Sequence, residues 1–159
     1  MKTTMSFKTS FIAALLLIIF SSGVSAENKE KSSFYFSKEV TGDYETIFKK
    51  VKAALKEVEF GIVSEMKMHE TLNEKANANM DTYVILGICN PKFAHEAIQI
   101  EKNIGLMLPC KGIIRKIGEN KYVVAFQNPE AIMDVVDNSE LKQLTKEVSN
   151  RLKEALNAV

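Results

Sequence analysis

The run Tyr83-Val84-Ile85-Leu86-Gly87-Ile88-Cys89 is apolar at every position, and it restricts the chain more than any other stretch. Side chains alternate along a strand, so a strand with no polar face belongs inside a sheet rather than at its edge. It is predicted as a central strand. Asn90-Pro91 follows at once. Asn is a good N-cap and Pro is favoured at the first helical position, so a helix over about 91–102 is predicted, burying Phe93, Ala94, Ala97 and Ile98.

The rest of the pattern supplies the sheet's partners. Phe34 to Val40 alternates as a first strand, and Tyr44, Ile47, Phe48, Val51, Leu55 and Val58 recur at helical spacing over residues 44–58. Phe60 to His69 is predicted as a strand with Ile62, Met66 and Met68 on one face and Glu65, Lys67 and His69 on the other. His69 is expected to be exposed. Residues 70–79 are polar, with room for a short helix. Leu106 to Ile117 is predicted as a long strand that Pro109 interrupts, because proline cannot donate to the ladder. Gly118-Glu119-Asn120 turns the chain into a return strand from Tyr122 to Phe126. Asn128-Pro129 opens a short helical turn through Met133. Leu141, Leu144, Val148, Leu152 and Leu156 then make the stripe of a long final helix. The predicted fold is α+β: one antiparallel-rich sheet with helices on one face, in two layers, as a single domain over residues 34–159.

The N-terminus reads as an address. Lys2 and Lys8 precede the apolar run Phe11 to Phe20, and Val24-Ser25-Ala26 offers a small-residue cleavage site before Glu27. This is the pattern of a secretory signal over residues 1–26. The apolar run is too short for a membrane span, which takes roughly 20 residues, and no cysteine follows it to carry a lipid. A polar leader, 27–33, comes next. The mature protein is expected outside the cytoplasm, periplasmic or secreted, with no membrane contact after cleavage.

Composition removes several classes. With 46% hydrophobic and 26% charged residues, the chain is not a disordered, collagenous or disulfide-dense sequence. Its formal charge is +1, and loss of Lys2 and Lys8 takes the basic excess away. A nucleic-acid partner, which calls for a basic surplus, is not expected.

Chemistry concentrates near the two cysteines, Cys89 and Cys110. Cys89 precedes the helix capped by Asn90 and Pro91, where unpaired amides and the helix dipole are expected to lower a thiol's pKa. His95 falls six positions on, and Met107 and Pro109 adjoin Cys110. Two cysteines in an exported chain make a disulfide, two inert buried thiols, or a working pair. There is no zinc spacing, no C-x-x-C-H haem attachment, no G-x-S-x-G and no phosphate-binding glycine loop. No enzyme class emerges. Non-covalent haem or a soft metal remains, because His, Met and Cys suit both. Met66, Met68, Met107 and Met133 otherwise read as core filling.

Residues 83–91 with Ala94, Ala97 and Ile98, followed by Ile104-Gly105-Leu106-Met107-Leu108-Pro109-Cys110, resemble the domain of unknown function 302 family. Its hallmark is a strand ending in C-N-P, a short helix, and an I-G-L-x-L-P-C strand. Gly61 to Glu65, Thr71-Leu72 and Asn128-Pro129-Glu130 extend the similarity over about residues 34–157. The resemblance implies a TATA-binding-protein-like fold of strand, helix, four antiparallel strands and helix, with the Pro91 helix inserted. It also implies a homodimer, and it carries no settled activity. Its motif residues here are Cys89, Asn90, Pro91, Pro109 and Cys110, with His95 beside them. Three functions follow as expectations. The first is a small-ligand module holding haem or a soft metal with Cys89, His95 and Cys110. The second is a thiol-redox or sulfur-handling protein in which Cys89 attacks and Cys110 resolves. The third is a purely structural or interaction domain.

Overall fold

The structure, a computed structural model, describes residues 34–136 and 138–159. The signal segment, its cleavage site and the leader lie outside the described residues. Among the described residues five strands form one sheet: β1 (Tyr35–Thr41), β2 (Gly61–Lys67), β3 (Tyr83–Cys89), β4 (Cys110–Gly118) and β5 (Lys121–Gln127). Their order is β1-β5-β4-β3-β2, and every neighbouring pair is antiparallel. The helices are α1 (Tyr44–Glu57), α2 (Met68–Ala76), α3 (Pro91–Ile100), the single turn α4 (Pro129–Ile132) and α5 (Ser139–Ala158). The chain is therefore α+β, and the apolar run 83–89 is an interior strand between β4 and β2. No described helix is long and apolar enough to cross a membrane.

Capping residues start the three main helices. Asp43 Oδ1 accepts from the Thr46 amide at 2.9 Å, and Asn90 Oδ1 from the Lys92 and Phe93 amides at 2.9 and 3.3 Å. Asn138 Oδ1 accepts from Glu140 and Leu141 in the same way. Each satisfies amides that have no partner within the helix. The turn between β4 and β5 works through Asn120, whose φ of 52° is the left-handed conformation that asparagine tolerates.

Helices α1 and α5 lie on one sheet face and bury their stripes against it. Ile47, Val51 and Leu55 from α1, Val148, Leu152 and Leu156 from α5, and Val84, Leu86, Ile88, Ile114, Val124 and Phe126 from the sheet form one cluster. A smaller cluster of Ala97, Ile104, Met133, Leu141 and Leu144 joins α3 to the start of α5. Between them, the Ser149 hydroxyl donates to Asn128 Oδ1 at 2.8 Å and accepts from the Glu130 amide at 2.9 Å. That pins the loop after β5 to α5.

Two strand expectations are corrected. The register of β2 shifts between Ile62 and Ser64, so Val63 is an extra, unpaired residue. Such a bulge reverses the alternation beyond it. Ile62 opposes Ile88 on the helical side, whereas Met66 opposes Ile85 on the other face and is exposed. Glu65 returns to the helical side, where the Tyr44 hydroxyl donates to it at 3.1 Å. Met68 and His69 begin α2, and His69 is half-buried, with Nδ1 3.0 Å from the Tyr83 carbonyl oxygen. Likewise, β4 starts only at Cys110. Residues Lys102–Leu106 form a 3-10 turn that shortens the predicted ends of α3 and β4, and Leu106 is 91% exposed. The Leu108–Pro109 peptide bond is cis, and pairing resumes once the proline, which has no N–H, is passed.

Candidate functional site

Cys110 pairs with Ile88 across β3 and β4, so its side chain shares the helical face of Ile88. Cys89 is the last residue of β3, where the strand gives way to α3, and it borders the same cavity as Cys110. Both cysteines are free thiols. Pro109 lies over Gly87, where a Cβ would stand 2.8 Å from the proline Cγ, so only glycine admits the ring.

On the helical face, a cavity of about 50 Å3 lies between the two apolar clusters. Cys110, Met107 and Met133 line it together with Ile104, Leu141 and Val148. Asn90 and Cys89, at the strand–helix junction, line it as well. Phe60 and Phe93 close one wall with ring centroids 6.1 Å apart, and the Arg151 guanidinium sits 5.1 Å over the Phe93 ring. Arg151 is held there by Glu147 at 2.8 Å and Glu59 at 2.9 Å, and Lys92 adds a 3.5 Å bridge to Glu59. The hydrogen bond from Arg151, then the Lys92 charge, lowers the Glu59 pKa and keeps it an anion.

The electrostatics reverse one expectation. Burial raises the pKa of Cys89, and burial followed by the charge of Cys89 pushes Cys110 up to about 11. Neither is the acidic thiol expected at a helix N-terminus. The reason is local: the free amides of α3 are taken by Asn90 Oδ1, and the Ala94 amide donates to the Asn90 carbonyl. At neutral pH both groups are S–H, poor nucleophiles and good apolar walls.

Of the predicted trio, Cys89 and Cys110 line one cavity and His95 does not join them. His95 is exposed on α3, with Nε2 3.5 Å from Gln99 Nε2, and it lines an outer groove between α3 and α5 with Glu140, Gln143 and Glu147. Among the described residues no group of three or more His, Cys, Asp or Glu side chains is placed to hold a metal ion. Helical spacing explains this: α3 turns Phe93 and Ala97 to the cavity and His95 away from it. Haem does not fit either, since cofactor sites run to roughly 300–1,000 Å3. Sequence reasoning missed Met133, Phe60 and Phe93 as cavity walls. Phe60 and Met133 are far from the cysteine motifs in sequence and adjacent only after folding.

The model of the domain of unknown function DUF302 matches residues 36–159. The crystal structure of an uncharacterized conserved DUF302 protein from Bacillus stearothermophilus is 22% identical, with a TM-score of 0.74. The match covers 80% of this chain and 98% of that one, and at this identity it bears on the fold alone. No curated protein matches.

Proposed function

The chain belongs to the DUF302 family, and from that premise we propose that it is an exported small-ligand module binding one soft monovalent metal ion, such as Cu(I). The ligands are the thiolate of Cys110 and the thioethers of Met107 and Met133. The observation that carries this reading is that these three sulfur side chains, together with Cys89, line one apolar cavity. Thiolate and thioether favour soft metals, Cu(I) among them. One thiolate with one monovalent cation is neutral, which an apolar cavity accepts at far lower cost than a net charge. Export is supported by the charged start, apolar run and small-residue site of residues 1–26. The homodimer stays in the proposal on the strength of the family resemblance.

The test is anaerobic competition for Cu(I) against bicinchoninate, using reduced mature protein. One ion per chain is expected, with Cys110→Ser weakening binding more than about a hundredfold and Met107→Leu less. His95→Ala is expected to leave it unchanged, since His95 faces the outer groove, and so is Cys89→Ser, since a second thiolate would give the cavity a net charge. The thiol-redox alternative has the raised pKa values against it. A structural role has the Asn90 cap in its favour, and absence of any competition for the ion would decide for it.

A further inference from the structure

The sheet face opposite the helices holds a second, larger concavity of about 540 Å3. Its floor follows from the register. One row across the sheet runs Tyr83, Arg115, Val123, Glu39, and the next runs Ile85, Ile113, Ala125, Ser37. The second row is low at its Ala125 and Ser37 end, and the taller side chains of the first row bound it. Beyond it Tyr35 opposes Gln127, and Lys111 donates its amide to Gln127 Oε1 at 2.8 Å. The result is a trough with an apolar base and an aromatic ring near each end.

Its charges are few and unequal. Arg115 is half-buried, and its guanidinium makes no hydrogen bond or ion pair among the described residues. Glu39, on the far side of Val123, forms no ion pair with it. Lys111 lines the other end, where its ammonium donates to the Pro109 carbonyl at 2.6 Å. A guanidinium left without an acceptor above an apolar floor is suited to a carboxylate carried on an apolar body.

We propose that this trough binds a small organic anion, an aromatic or aliphatic carboxylate whose body lies on Ile113, Val123 and Ala125 and whose charge pairs with Arg115. Its volume falls within the roughly 300–1,000 Å3 usual for small-molecule sites. The site is separate from the sulfur-lined cavity, which opens on the other face of the sheet.

The experiment is calorimetric titration of the mature protein with 2-naphthoate and, in parallel, with uncharged 2-naphthamide. The acid is expected to bind more tightly than the amide. Arg115→Gln is expected to weaken the acid at least about tenfold, which is about 1.4 kcal/mol, and to leave the amide unchanged. Ser37→Phe, at an exposed position of the second row, is expected to block both, and Cys110→Ser neither. Thermal melting of each variant reports its folding. Equal affinity of acid and amide, indifference to Arg115→Gln, or no binding overturns the proposal. So does sedimentation in which Ser37→Phe splits a dimer, because the face is then occupied by a second copy.

Discussion

Acidifying from about pH 8 to about pH 6 is expected to weaken Cu(I) binding by about a hundredfold. The sign comes from Cys110. Burial lifts its pKa to about 11, so the sulfur is protonated throughout that window and an incoming ion has to expel the proton. Each released proton makes affinity rise about tenfold per pH unit below the thiol's pKa. A slope of one therefore reports a single thiolate. A slope of two would mean that Cys89 had joined the site, and a slope of zero would leave only thioethers. The measurement is the bicinchoninate competition repeated across pH, with the competitor's own pH dependence subtracted.

Phe126→Ala is expected to produce the largest loss of stability, about 3–5 kcal/mol, from a total that for such domains is roughly 5–15 kcal/mol. Phe126 is fully buried and opposes Gly112 on β4. A Cβ at Gly112 would stand 2.7 Å from Ile88 Cδ1 and 3.1 Å from Phe126 Cδ1, so those two side chains fill the space that glycine leaves. Truncating the phenyl ring opens a void over a residue with no side chain to collapse into it, which places the cost at the upper end of the range. Urea unfolding followed by circular dichroism measures this. A loss below about 1 kcal/mol would mean that the core repacks around the site.

The elements carried by strong periodicity were legible. Strand β3 has the bounds that its apolar run implies, and Asn90 caps α3 as its place before Pro91 predicts. Asp43 and Asn138 cap α1 and α5 as well, which the apolar periodicity of those helices does not indicate. What failed depended on a single residue's partner. The bulge at Val63 leaves no mark in composition, yet it sends Met66 to the open face and Glu65 to Tyr44. The 3-10 turn before Pro109 absorbed residues that read as strand, because Leu106 and Leu108 alternate as well as any strand does.

The site was legible in part. Cys110 and Met107 lie where the motifs suggested, on one cavity. Cys89 borders that cavity too, whereas His95 was grouped with them by nearness in sequence and helical periodicity points it elsewhere. The trough on the other face had a visible signal: Lys111, Ile113 and Arg115 alternate along β4. It took the register of four strands to show that Arg115 sits between Tyr83 and Val123, over the row that holds Ile113 and Ala125.

The claim that Cys110 anchors a sulfur-only metal site is tested most directly by X-ray absorption at the copper edge of the loaded mature protein. A first shell of sulfur alone, lost in Cys110→Ser and kept in Cys89→Ser, is the expected result. A shell containing nitrogen or oxygen, or one that survives Cys110→Ser, would contradict it.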